Sequence, residues 1–256
     1  MSAATFIPGL VSVSFRKLSP GEIVALAREC GLRVIEWGSD VHVPPGDLAT
    51  AREVRAMTAE AGLSVAAYGS YVRLGEADAT SFAAVIETTA ALGAPAIRVW
   101  AGKRGSADAD EAYRQRVLDQ ARQLATLTAD AGIVVCYEYH VDTLTDTDAS
   151  ALALLRATAE QPSIRTLWQP PHDRPVEANV ASLRGVLPWL QHMHVFHWPR
   201  RGERAPLADG AARWRAYLDV LRAHGGTWPL LLEFVRDDDP NQLRADAATL
   251  HQWIGG

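Results

Sequence analysis

Along the chain one pattern recurs. A stretch with apolar residues at helical spacing stops at a glycine, and a short apolar or β-branched run follows within a few residues. The segments ARECGLRVIEW, TAEAGLSVAAY, AALGAPAIRVW, TADAGIVVCYEY and LRAHGGTWPLLLEF carry it, with Gly31, Gly62, Gly93, Gly132 and Gly225 at the junctions. Glycine there is expected to adopt the left-handed conformation that ends a helix. Two further apolar runs, Ile164 to Trp168 and Gln191 to His197, follow helical segments without that glycine, and an initial run covers Leu10 to Phe15. These runs predict eight strands.

Helix starts agree with this reading. Ser19-Pro20-Gly21-Glu22 combines a side-chain acceptor, a proline at the first helical position and a glutamate at the third, which together satisfy free amide donors. Asp239-Pro240-Asn241-Gln242 repeats that logic near the end. Strands alternating with helices of this length indicate parallel βαβ units, and eight units in 256 residues match the size of a (β/α)8 TIM barrel. An open doubly wound sheet fits less well, because VSVSFRKLSPGE lacks the glycine-rich phosphate loop expected after its first strand. No break in composition marks a second domain, so residues 1–256 are read as one barrel.

Composition narrows the field of functions. A hydrophobic content of 48% without charged or low-complexity tails describes an ordinary globular chain. The net charge of -5 and the absence of a basic stripe argue against a nucleic-acid partner. Cys30 and Cys136 stand far apart in apolar contexts and read as reduced core residues. No run reaches membrane-span length, and MSAATFIPGL lacks the basic and apolar regions of a secretion signal, so no membrane association and a cytoplasmic location are expected.

In a barrel of this type the chemistry sits at the C-terminal ends of the strands. Glu36-Trp37, Tyr68, Trp100, Glu138, Gln169, His194 and Glu233 fall at the ends of the second to the eighth strand. The run HMHVFHW places three histidines in an otherwise apolar stretch. Because side chains two apart share a strand face, His194 is expected to point to the reaction chamber, His192 to lie deeper as support and His197 to belong to the rim. By the same alternation Glu138 is expected at the mouth above the small Cys136. Glu138 and Glu233 both sit in apolar strands, where a carboxylate without a cation is costly. One divalent metal ion, Mn2+, Co2+ or Mg2+, held by Glu138, Gln169, His194 and Glu233, removes that cost for both. The competing reading pairs each glutamate with an inward arginine, Arg98 being the obvious candidate.

At this point the sequence resembles the sugar phosphate isomerase/epimerase family, whose xylose isomerase-like barrel also contains the endonuclease IV enzymes. The likeness covers essentially the full chain and rests on GLRVIEWG, EYHVDTLTDT from Glu138, QPPH ending in His172, HMHVFHWPR around His194 and LLLEF with Glu233. It implies a single divalent metal held by Glu, Asp, His and Glu from strands five to eight, with the two glutamates doubling as proton carriers. Glu138, His194 and Glu233 match these positions, His172 matches a substrate-binding histidine, and Arg200 matches an arginine six residues beyond the metal histidine. Gln169 stands where the family has aspartate. Its amide oxygen can coordinate without a negative charge, so weaker metal binding is expected.

The implied reaction is isomerisation or epimerisation of a sugar or related hydroxy-carbonyl compound through an enediolate, with Glu138 and Glu233 as catalytic proton carriers. His172 and Arg200 would hold hydroxyl or oxyanion groups, and Trp37, Trp100 and Trp198 would supply apolar walls. His42, His140 and Asp40 are further candidates for substrate contact or support. The loops Lys103 to Ser106 and Pro199 to Arg204 could take a phosphate. Rival readings are a metal-dependent dehydratase or lyase working through the same enolate, a sugar-binding relative without turnover, and an endonuclease, which the charge disfavours. A homo-oligomer is compatible with every one of them.

Overall fold

The structure is a computed structural model that describes residues 3–77 and 79–255. Its strands are β1 (Ala4–Val11), β2 (Val34–Gly38), β3 (Ser64–Arg73), β4 (Ala96–Trp100), β5 (Val134–Tyr137), β6 (Ile164–Trp168), β7 (Leu190–Val195) and β8 (Gly226–Leu232). They pair in parallel in chain order, and β8 closes on β1 from Ala4↔Gly226 to Leu10↔Leu232. The helices α1 (Pro20–Glu29), α2 (Leu48–Glu60), α3 (Ala79–Leu92), α4 (Glu111–Thr128), α5 (Asp148–Ala157), α6 (Val176–Val186), α7 (Ala211–His224) and α8 (Pro240–Ile254) alternate with them. This is the (β/α)8 TIM barrel that the alternation predicts. Of the expected 1–256 span, Met1, Ser2, Asp78 and Gly256 lie outside the described residues. No helix among the described residues is long and apolar enough to cross a membrane.

Local sequence sets the element ends. Ser19 accepts from the Glu22 amide while Glu22 accepts from the Ser19 amide at 2.7 Å, a reciprocal cap worth about 1 kcal/mol. At α8 the cap is one-sided: Asp239 accepts from the Asn241 amide, and Gln242 turns instead to Asp246 and Arg236. The five junction glycines all have positive φ, although Gly225 pairs its φ of 77° with an extended ψ of -172°.

Two strand boundaries differ from expectation. The first strand begins at Ala4 and ends at Val11, and Ser12–Phe15 turns into a short 3-10 helix whose Ser12 hydroxyl accepts from the Gly38 amide at 2.9 Å. Pro8 and Gly9 make the true strand look like a breaker, since neither favours a ladder interior. The seventh strand stops at Val195, and His197 reaches only an isolated antiparallel bridge to Ala205.

Part of the barrel interior is apolar. Val11, Val13 and Leu231 form a small cluster with Val34 and Ala66, separate from the main core between strands and helices. Side chains two apart share a face, so above Val34 comes Glu36 and above Leu231 comes Glu233. Along β2 and β8 the interior thus changes from hydrocarbon to charge on the way to the C-terminal mouth.

Candidate active site at the barrel mouth

The charged level begins with Glu36, which is fully buried. Its Oε1 accepts from Arg98 Nε at 2.7 Å, and its Oε2 lies 3.1 Å from Nε2 of both His192 and His194. Burial alone would raise the Glu36 pKa, but the charges of His194 and Arg98 outweigh it and hold the carboxyl well below the usual carboxylate range. Arg98 crosses from β4 to reach this carboxylate, and its Nη1 also donates to Glu138 Oε2. The path lies over β3, where Gly69 leaves the space: a Cβ there would stand 2.7 Å from Arg98 Nη2 and 2.9 Å from Glu36 Oε1.

Glu138, Gln169, His194 and Glu233 follow at the ends of β5 to β8, all buried. Trp100 Nε1 donates to Glu138 Oε2 at 2.6 Å, and Gln169 Nε2 donates to Glu138 Oε1 at 3.2 Å and to the Tyr139 carbonyl at 2.7 Å. Burial raises the Glu138 pKa, while Arg98 foremost, with His194 and His140, brings it below its ordinary value. His194 Nδ1 and Glu233 Oε2 stand 3.0 Å apart without an aligned hydrogen bond. Burial disfavours the imidazolium of His194, yet the carboxylates of Glu233 and Glu36 on either side raise its pKa to about 10. His192 shares Glu36 but its pKa is lowered, because burial prevails there.

Three side-chain atoms at this level are buried without a hydrogen-bond partner: Gln169 Oε1, His194 Nδ1 and Glu233 Oε2. Such atoms are costly unless something polar or cationic meets them. Among the described residues, a tighter group of potential ligand atoms, all within 4.8 Å, is Glu36, His192 and His194, a possible metal site by distance. There, however, the Arg98 guanidinium 2.7 Å from the same carboxylate already supplies the positive charge.

A cavity of about 460 Å3 opens above, lined by Gln169, Tyr139, His140, His172, Trp198, Arg201 and Phe234 among others. His172 stacks on Trp198 at 4.6 Å, and Phe234 meets Trp198 at 4.7 Å. Phe234 does so with a φ of 51°, an uncommon conformation for an aromatic residue, directly after Glu233. Elsewhere at the mouth Trp100 is fixed by Tyr71 at 5.2 Å, His140 at 4.9 Å and the Arg73 guanidinium at 4.0 Å.

Other residues expected to touch substrate are placed differently. Trp37 is fully buried in the main core and meets His42 edge-on at 5.9 Å. His42 is itself buried, with its ring nitrogens 3.0 Å from Ser12 Oγ and 3.2 Å from the Leu18 carbonyl, so both residues brace the β1 and β2 ends instead of lining the cavity. Arg200 is exposed in a turn, and its neighbour Arg201 lines the cavity. Asp40 pairs with Arg16 at 2.7 Å.

Comparison with known proteins adds the family. The xylose isomerase-like TIM barrel family matches residues 24–253. The chain belongs to this family. A curated relative, the 3-dehydroshikimate dehydratase of Bacillus anthracis, is 35% identical over 104 residues, which span 38% of this chain and only 35% of that protein. The crystal structure of the probable 3-DHS dehydratase AsbF from Bacillus anthracis superposes with a TM-score of 0.79 at 23% identity, covering 95% of this chain and 98% of that one. The 3-keto-D-glucoside 4-epimerase YcjR from E. coli has a TM-score of 0.73 at 18% identity, with 97% and 99% covered. A magnesium complex of a xylose isomerase-like barrel protein from Mycobacterium smegmatis has a TM-score of 0.74 at 17% identity, with 99% and 98% covered. At these identities the structures show a shared fold. Structural neighbours of this xylose isomerase-like barrel thus include epimerases as well as a dehydratase, and some hold a metal.

Sequence reasoning passed over Glu36 and Phe234 as site residues, and reached Arg201 only as part of the Pro199 to Arg204 loop. Glu36 carried the same signal as Glu138 and Glu233, a lone carboxylate in an apolar strand, in RVIEWG. Phe234 carried none, because its role follows from a backbone angle.

Proposed function

We propose that this barrel is a divalent-metal-dependent isomerase or epimerase that moves a proton next to a carbonyl in a small sugar-like hydroxy-carbonyl compound. The observation that carries the reading is that Gln169 Oε1 is buried without a hydrogen-bond partner at the same barrel end where His194 Nδ1 and Glu233 Oε2 face each other 3.0 Å apart without an aligned hydrogen bond. Gln169, His194, Glu233 and Glu138 would hold the ion. When bound, it would polarise the substrate carbonyl and stabilise negative charge developing on that oxygen.

The chain supplies the rest. Glu233, which meets His194 Nδ1 at 3.0 Å without an aligned hydrogen bond and has no arginine partner among the described residues, is the more available proton acceptor. Glu138, held by Arg98, Trp100 and Gln169, is the second carrier and can return the proton from another direction. Trp198 and His172 offer a flat apolar wall for a sugar face, and Arg201 stands ready for an oxyanion at the rim.

A second reading, loss of water from the same kind of substrate, is favoured by the stretch matched to the curated dehydratase. The test is incubation of the Mn2+-loaded protein with ketoses and hydroxy-keto-acids in deuterium oxide, followed by NMR. Deuterium in a recovered or isomerised sugar supports the proposal. An unsaturated product lacking one water selects the dehydratase. Turnover that persists unchanged after chelation overturns both readings.

A further inference from the structure

We propose that Glu36 is a positioning residue for the mouth site, turning His194 so that Nδ1 faces the metal position and tying Glu138 in place through Arg98. The inference rests on the metal-site reading given above.

A carboxylate only accepts hydrogen bonds, so each group that meets Glu36 must donate. Arg98 Nε, His192 Nε2 and His194 Nε2 all meet it, at 2.7, 3.1 and 3.1 Å. With its Nε2 proton committed to Glu36, His194 has only Nδ1 left for the mouth, and Nδ1 is the atom found beside Glu233. A carboxylate behind a ligating histidine fixes the tautomer and ring orientation in this way. Arg98 extends the same control to β5, since one rigid guanidinium holds Glu36 through Nε and Glu138 through Nη1.

Two further features of the barrel accommodate the pair. Gly69 leaves open the place where any Cβ would collide with both Arg98 and Glu36. The register between β2 and β3 slips at the same point, from Ile35↔Val65 to Glu36↔Ala67. Bulges of this kind re-aim a side chain near active sites.

Formal charge gives an independent argument. With His194 neutral once an ion has displaced its Nδ1 proton, Glu36, Glu138 and Glu233 carry three negative charges and Arg98 one positive, leaving two that a single divalent ion balances while Gln169 stays neutral. Glu36 thereby contributes the carboxylate charge that Gln169 lacks. It does so from below the ligand level.

The test uses the full-length protein loaded with Zn2+, a diamagnetic probe, with affinity from calorimetry and the His194 ring nitrogens from long-range 1H–15N NMR. Wild type is expected to bind one Zn2+ with His194 metallated at Nδ1 and protonated at Nε2. Glu36→Gln should weaken binding about 10- to 100-fold and shift the His194 signals. Should that variant fail to fold, Gly69→Ala, which crowds the pair without removing a charge, should weaken binding about tenfold. Glu36→Asp should retain more affinity than Glu36→Gln. If wild type binds Zn2+ through Nδ1 but the Glu36 and Gly69 variants keep its affinity and spectrum, the positioning role is overturned and the metal reading stands. If wild type binds no Zn2+, both fall.

Discussion

Gln169 donates its amide nitrogen to Glu138 Oε1 at 3.2 Å, and this directs its own Oε1 into the interior with no partner. The same nitrogen also donates to the Tyr139 carbonyl at 2.7 Å. A neutral amide therefore does two things that aspartate cannot: it donates to Glu138, and it adds no charge beside it. Gln169→Asp is expected to destabilise the metal-free protein by about 1–3 kcal/mol, through the lost donor and the added like charge. The same change should tighten metal binding. Melting temperatures with Mn2+ and with a chelator check this together: the gap between them should widen in the variant, and an unchanged gap removes Gln169 from the ligand set.

The two glutamates are predicted to differ when neutralised. Glu233→Gln and Glu138→Gln should each lower solvent deuterium exchange about 10²- to 10⁴-fold, the contribution of a positioned proton carrier. Glu138→Gln strips Arg98 of a buried ionic partner that cannot shed its charge, whereas Glu233→Gln strips one from His194, which can lose its proton, so the fall in melting temperature should be larger for Glu138→Gln. Exchange rates and thermal melts of both variants decide the matter. Undiminished exchange in either one excludes that residue as a carrier.

Much of this arrangement was legible in the sequence, for identifiable reasons. The glycine-punctuated helices and short apolar runs carry the barrel, because burial on both strand faces leaves a continuous apolar run that a polar strand end interrupts visibly. Alternation placed His192 below His194, and both meet Glu36 from inside. What alternation cannot convey is lateral reach. Arg98 pairs with Glu138, as the competing reading expected, but also with Glu36 two strands away, and leaves Glu233 without an arginine partner among the described residues. Trp37 and His42 looked like mouth residues from position alone, and their burial depends on how the segment after β1 folds over them.

His194 sets a pH dependence whose sign follows from its two carboxylate neighbours. Burial opposes its charge, Glu233 and Glu36 override that, and the pKa stands at about 10 against an ordinary 6.5. A raised pKa contributes stability in full below about 6.5 and loses it as pH climbs through about 10. The chelated protein should therefore melt at progressively lower temperature from pH 7 to pH 10. A metal ion taking Nδ1 must displace that proton, so binding should release about one proton per ion near pH 7.5 and strengthen with rising pH. Calorimetry in two buffers of different ionisation enthalpy counts the proton; zero release would show that Nδ1 is not a ligand.

Phe234 couples backbone geometry to the cavity wall. Its φ of 51° carries a cost of about 1–2 kcal/mol for a residue with a Cβ, and its ring packs on Trp198 at 4.7 Å and Phe196 at 5.2 Å. Phe234→Gly removes both the strain and the ring, so its effect on stability should be small. Trp198, no longer held on that side, should lose its fixed stack with His172. Since these rings line the cavity in which the substrate is proposed to sit, KM is expected to rise about tenfold with kcat changed much less. Steady-state kinetics of Phe234→Gly beside Trp198→Ala gives the answer. A fall in kcat with KM unchanged would mean that the left-handed turn at Phe234 serves to aim Glu233 and that the aromatic wall does not bind the substrate.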